Sequence, residues 1–186
     1  MVQATNLGFP RIGDMRQLKK AVEAYWKGNS SKEELLAVGK ELRAHNWKLQ
    51  KDAGLDQIPS NDFAFYDQVL DMITTLGLVP KRYNWDGGAI DLDTYFAMAR
   101  GRQQGDVDVV AMEMSKWFDT NYHYIVPEFE EGMEPQLTST KVFDQYQEAK
   151  DQGIETRPVL VGPLTFVQIG KAQFENFDPA ALTAKL

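Results

Sequence analysis

The stretch Asn121-Tyr122-His123-Tyr124-Ile125-Val126-Pro127-Glu128 decides the fold class. It is aromatic and β-branched, which predicts a strand. Downstream, Arg157-Pro158-Val159-Leu160-Val161-Gly162-Pro163 is an apolar run of buried-strand type, broken by glycine and proline. Between the two, residues 137–140 read as a brief strand, or a cap, before a helix over about 142–152. A short helix follows the second run as far as Gly170. Strands alternating with helices predict an α/β fold with parallel strands. A (βα)8 barrel, one member of that class, typically takes ~250 residues.

Upstream, residues 105–110 read as loop or weak strand, and Asp91 or Asp93 starts a short helix that ends at Gly101. Residues 80–90 (PKRYNWDGGAI) read as an irregular surface excursion, and a third helix covers 66–76. Ser31-Lys32-Glu33-Glu34 is a capping box for a helix that carries Leu35, Leu36, Val38, Leu42 and Trp47 and stops near Gly54. Before it, Met15, Leu18, Val22, Tyr25 and Trp26 fall on one helical face, with Asp14 placed to cap and Gly28-Asn29 to terminate. Residues 6–13 are too rich in glycine and proline for a helix and read as a short strand running into a loop. At the other end, Asp178-Pro179 is an N-cap followed by proline at the first helical position. Only seven residues follow; a natural C-terminus could look like this, but a partial chain fits better.

Composition narrows the function classes. The chain has 186 residues, no cysteine and two histidines, His45 and His123. Disulfides, cysteine zinc sites and a thiolate nucleophile are excluded within it, and a metal site would need carboxylates. No apolar run approaches the ~18 residues of a membrane span, and the first residues lack a signal-peptide pattern, so a cytoplasmic protein is expected. The net charge of −7 argues against nucleic acid as a partner. That charge is uneven: residues 1–51 hold ten Lys/Arg against five Asp/Glu, and the remainder ten against twenty-two.

Three stretches carry candidate chemistry. Arg16, Lys19 and Lys20, at i, i+3 and i+4, bring cations to a helix start, with Arg11 in the preceding loop. Cations there oppose the helix dipole, and a docked anion reverses the penalty; solvated lysines paired with Glu23 are the plain alternative. The run from Glu113 to Tyr124 combines Lys116, two carboxylates, Asn121, His123 and four aromatics. Its rings offer a stacking surface for a planar heterocycle, or belong to the core if the run leads into a barrel strand. His123 within a strand reads as a hydrogen-bonded structural histidine. Residues 60–67 place polar groups at a strand-to-helix junction, where barrel enzymes build sites. Equally, Ser60, Asn61 and Asp62 there can cap a helix at Phe65. No nucleophile–base pair or phosphate loop is visible.

The run Leu7-Gly8-Phe9-Pro10-Arg11-Ile12-Gly13, followed by Arg16-Gln17-Leu18-Lys19-Lys20 and Tyr25-Trp26, resembles the N-terminus of the cobalamin-independent methionine synthase family. These enzymes are 5-methyltetrahydropteroyltriglutamate–homocysteine methyltransferases. The resemblance continues in order through residues 34–40, 61–67 and 114–124 and into 157–165. It implies two tandem (βα)8 barrels facing one another, with residues 1–186 forming the first part of the N-terminal one. The C-terminal barrel, absent from this chain, would carry the zinc ligands and the homocysteine site. The N-terminal barrel would help bind the polyglutamylated folate. Carried over by position, the family's basic binding motif falls on Arg16, Gln17, Leu18 and Lys19. Gln17 stands where the family often has glutamate. The second folate-binding position falls on Lys116, with Asn121 nearby. The implied partners are 5-methyltetrahydropteroyltri-L-glutamate and, through the missing barrel, L-homocysteine. Zinc is implied for the full-length protein, cobalamin is not, and the residues that perform methyl transfer would lie outside this chain. The competing reading is a non-catalytic α/β module that binds an acidic metabolite or packs as a scaffold.

Overall fold

The computed structural model describes residues 2–104 and 107–186. Among them are seven α-helices and eight short strands: α1 Gln17–Trp26, α2 Lys32–Asp52, β1 Ile58–Ser60, α3 Gln68–Thr75, α4 Leu92–Arg100, β2 Arg102–Gln104, β3 Val107–Val109, β4 Met114–Lys116, β5 His123–Ile125, β6 Glu128–Phe129, α5 Lys141–Lys150, β7 Thr156–Pro158, α6 Pro163–Gln168, β8 Lys171–Ala172 and α7 Pro179–Lys185. The α/β class stands. The chain divides into one unit of Met1–Phe65 with Lys141–Leu160 and another of Tyr66–Thr140 with Val161–Leu186.

In the first unit the strands run parallel: β1 pairs with β7, and Thr5 bridges Gln57 in the same sense. Helix α2 begins with the capping box read from the sequence. The Glu34 amide donates to Ser31 Oγ at 3.2 Å and the Ser31 amide to Glu34 Oε2 at 2.8 Å. That amide, with the Ser30 hydroxyl, holds the Glu34 carboxyl below its ordinary pKa. The core forms where Trp47 of α2 meets Ile58, Ala149 and Ile154. Arg43 of α2 grips Glu148 of α5 through Nε at 3.1 Å and Nη2 at 2.7 Å. The run at 157–163 is less of a buried strand than its composition predicts. Pro158, Gly162 and Pro163 cut it to three paired residues, and Leu160 is left 53% exposed.

In the second unit β6 and β8 pair in parallel, whereas β2–β3 and β4–β5 are antiparallel. The expectation of parallel strands alone is therefore corrected. Trp117–Tyr122 is the whole connection between β4 and β5, and six residues cannot make the crossover that parallel pairing needs. The predicted strand over 121–128 begins only at His123, because Asn121 and Tyr122 belong to that turn, and Pro127 interrupts it before β6. The uncertain segment at 105–110 supplies β3, with Gly105 and Asp106 outside the described residues. Residues 80–90 are anchored rather than a loose excursion: a 3-10 turn over Lys81–Tyr83 buries Tyr83, and Arg82 forms a bidentate pair with Glu128.

Residues 137–140 are not a strand. The Gln136 and Thr138 amides instead donate to the Leu76 and Thr75 carbonyls at the end of α3. Asp91 caps α4 through the Thr94 amide, and Asp178 caps α7 through the Ala180 and Ala181 amides, with Pro179 at the first position. No described helix is long and apolar enough to cross a membrane.

Candidate functional site

The basic cluster lies in the first unit, but its local structure differs from the sequence reading. Asp14 does not cap α1. The N-cap is Arg16, in the left-handed conformation with φ 59° and no side-chain capping bond. The turn before it is closed by the Arg16 amide on the Gly13 carbonyl and the Met15 amide on Gln17 Oε1. The helical register therefore starts at Gln17, so Arg16 does not share a helical face with Lys19 and Lys20 by simple spacing. Met15 likewise falls outside the helix and is exposed, leaving Leu18 and Val22 as its buried face.

Each predicted residue here has a definite place. Arg16, Gln17 and Lys19 are exposed, and Lys19 pairs with Glu23 at 3.3 Å, which is the solvated-helix arrangement. Leu18 turns its side chain into the core, 3% exposed, and its amide donates to the Ile12 carbonyl. It seats the helix that presents the other three. No acidic residue stands in the first turn of α1, so no carboxylate of that turn offsets the positive end of the dipole. A groove of about 610 Å³ beside α1 and α2 takes Gln17 and Lys20 from α1, with Glu34, Glu41 and His45 opposite. Those carboxylates make it a poor seat for a polyanion; Gln17 borders it, whereas Arg16 and Lys19 do not line it.

Gly13 makes this approach possible. Its φ is 79°, and a Cβ there would stand 2.3 Å from Gln17 Oε1 and 2.8 Å from Leu42 Cδ2. Gly13→Ala is expected to destabilise the chain by about 1–3 kcal/mol, through left-handed strain and overpacking together. Urea unfolding measures this, and an unchanged midpoint would show that the turn relaxes freely.

Lys116 and Asn121 lie in the second unit, on one hairpin. Lys116 closes β4 opposite His123, and Asn121 sits in the connection; the side chains of all three are exposed. The Trp117 amide donates to the Tyr122 carbonyl at 2.7 Å, and Thr120 returns both its amide and its hydroxyl to the Trp117 carbonyl. His123 makes the hydrogen bond expected of a structural histidine, Nδ1 to the Asn121 carbonyl oxygen at 3.0 Å. The aromatics divide: Tyr124 is core, Trp117 and Tyr122 are half-buried, and Phe118 is exposed.

The residue that fixes this hairpin went unrecognised in the sequence. Asp67, 1% exposed, caps α3 by accepting from the Val69 and Leu70 amides at 3.1 and 2.9 Å. The same carboxylate accepts from the Ile125 amide at 3.1 Å and the Tyr122 hydroxyl at 2.6 Å. Burial raises its pKa, and the Tyr122 hydrogen bond opposes the rise. The available signal was an aspartate just before the apolar run Val69-Leu70.

The junction at 60–67 is structural. Ser60 Oγ accepts from Thr156 Oγ1, Asn61 bridges the Val159 carbonyl and Lys141 Nζ, and Asp62 accepts from the Phe9 amide at 2.8 Å. None of the three caps a helix at Phe65, because the helix starts three residues beyond it, at Gln68 behind Asp67. Among the described residues no three His, Cys, Asp or Glu come together to hold a metal ion.

Comparison with known proteins supplies relatives over nearly the full chain. A 5-methyltetrahydropteroyltriglutamate–homocysteine methyltransferase of Salinibacter ruber is 56% identical over 96% of this chain and 24% of its own length. Proteins of the same name from a Chelativorans species and Flavobacterium johnsoniae are 53% and 54% identical, over 100% and 95% of this chain and 25% and 23% of theirs. The chain thus spans about a quarter of the length of the curated relatives it matches. The family model described as cobalamin-independent synthase, N-terminal domain, matches residues 3–186. On that match and those relatives, the chain belongs to the cobalamin-independent methionine synthase family, within its N-terminal domain.

Proposed function

We propose that residues 1–186 form the first part of the N-terminal one of two tandem (βα)8 barrels, in a cytoplasmic enzyme that moves a methyl group from 5-methyltetrahydropteroyltri-L-glutamate to L-homocysteine, yielding L-methionine. The observation that carries this is 56% identity, along 96% of the chain, to a relative bearing that activity as its name. The parallel pairs β1–β7 and β6–β8 agree with a barrel wall. The role of this chain is to bind and orient; by itself it is inactive. Arg16, Gln17 and Lys19, seated by Leu18, meet glutamate-tail carboxylates in the first unit, and Lys116 with Asn121 holds folate in the second. Charge-assisted hydrogen bonds from Arg16 and Lys19 suit a tail of several carboxylates. Zinc serves the full-length protein with ligands from outside this chain, and homocysteine binds with that missing part.

The test is a titration with methyltetrahydrofolate carrying one or three glutamates, at low and high salt. The triglutamate should bind more tightly, with an advantage that shrinks in salt. Lys19→Ala should weaken it about tenfold or more, since a hydrogen bond to a charged group contributes about 1.5–3 kcal/mol. Equal affinity for the two ligands, or an unaltered Lys19→Ala variant, removes the tail-binding role.

A further inference from the structure

Five non-glycine residues among those described have positive φ: Arg16, Asn61, Asn84, Phe118 and Asn176. Three are asparagine, for which the left-handed region is an ordinary habitat. The other two are Arg16, inside the basic cluster, and Phe118, two residues beyond Lys116. A bulky aromatic at φ 48° is a true outlier, and such strain persists only where surrounding structure over-determines it.

The surroundings of Phe118 do so. Its turn is closed by the Trp117–Tyr122 bond and by both Thr120 bonds to the Trp117 carbonyl. The turn is bolted at its base by the Tyr122 hydroxyl on buried Asp67. Yet the fixed side chain is not buried by the fold: Phe118 is 70% exposed. Its ring meets Trp117 edge to face at 5.1 Å, 89° between planes. One of its edges or faces is therefore braced while most of the ring is open, on a turn that also carries exposed Lys116 and Asn121. Strain and apolar exposure oppose folding stability, so the fold does not account for this placement. A flat apolar ligand group joined to carboxylates does: the ring stacks on it while Lys116 takes a carboxylate.

We infer that Phe118 is a ligand-contacting residue whose ring stacks on the aromatic portion of the folate, the p-aminobenzoyl group adjoining the glutamate tail. This deepens the proposed function and rests on it.

The experiment compares p-aminobenzoyl-triglutamate with N-acetyl-triglutamate, equal in tail charge and differing by the ring. Both are titrated into the 186-residue chain, its Phe118→Gly variant and its Phe118→Tyr variant. Wild type should favour the aromatic ligand about three- to tenfold, the range of an aromatic pair. Phe118→Gly should bring the ratio to about one while keeping salt-sensitive binding of the acetyl ligand, and Phe118→Tyr should restore the preference. Glycine suits a positive φ, so the variant relieves strain and keeps the turn. A wild-type ratio of one, a ratio unchanged in Phe118→Gly, or equal loss of both ligands in that variant overturns the stacking role and leaves tail binding standing. Failure of wild type to bind either ligand overturns the tail reading and this inference with it.

Discussion

Asp67→Ala is expected to lower the unfolding free energy by about 3–5 kcal/mol, near the upper end for a single substitution. One buried carboxylate accepts four hydrogen bonds, from the Val69, Leu70 and Ile125 amides and the Tyr122 hydroxyl. Each bond to a charged acceptor contributes roughly 1.5–3 kcal/mol, less the cost of keeping the charge out of water. Alanine orphans all four donors, removes the cap of α3 and frees the base of the Lys116 hairpin together. Asp67→Asn should cost only about 1 kcal/mol, because its carbonyl can take the three amides on Oδ2 and the Tyr122 hydroxyl can turn to accept from its amide.

The same pair of variants reports on pH. Burial raises the Asp67 pKa in the folded chain, whereas the unfolded value is about 3.9. The folded state thus holds its proton at pH values where the unfolded chain has lost it. This group's contribution is fully present below the unfolded pKa and falls away as pH rises through the folded one. Across that acidic window, wild type should lose stability with rising pH relative to Asp67→Asn, which has no proton to lose. Urea titrations of both proteins from pH 4 to 7 measure it; parallel curves would show that the hydrogen bonds fully compensate burial.

Features that depend on three or four adjacent residues were legible in the sequence. The Ser31–Glu34 box, Asp91 before α4 and Asp178-Pro179 before α7 each satisfy helix-end groups with side chains a few positions away, and Gly101 ends α4 with its own amide on the Ala97 carbonyl. Features set by distant partners were not. Nothing in Met114-Ser115-Lys116 is strongly β-forming, and it becomes a strand because its backbone pairs with β5 across a short turn. Asp67 falls inside the helix expected over 66–76, and only the fold brings Ile125 and Tyr122, more than fifty residues on, to its carboxylate. At the candidate site, charge made Arg16, Lys19 and Lys116 visible. The left-handed backbone at Arg16 and Phe118 was not, since neither residue type signals it. Resemblance supplied the roles of these residues, which charge alone left open between an anion site and a solvated helix.

Trp47→Ala should cost about 3–5 kcal/mol, as expected for emptying a fully buried aromatic site. Trp47 is 2% exposed and stands among Ile58, Ala149 and Ile154, joining α2 to β1 and α5. Its indole N–H also donates to the Pro59 carbonyl at 3.1 Å. Trp47→Phe separates the two effects: it keeps most of the apolar filling but leaves a buried carbonyl without this donor, for an expected loss of about 2 kcal/mol. The consequence reaches the candidate site, because β1 runs directly into Asp62, whose carboxylate holds the Phe9 amide. That bond sets the path of residues 9–13 toward Arg16. Hydrogen exchange at the Phe9 amide should therefore quicken in both variants, by more in Trp47→Ala. If Trp47→Phe unfolds at the wild-type urea concentration, the indole bond adds nothing to stability. If exchange at Phe9 is unchanged in Trp47→Ala, the loop before α1 holds its shape independently of this core.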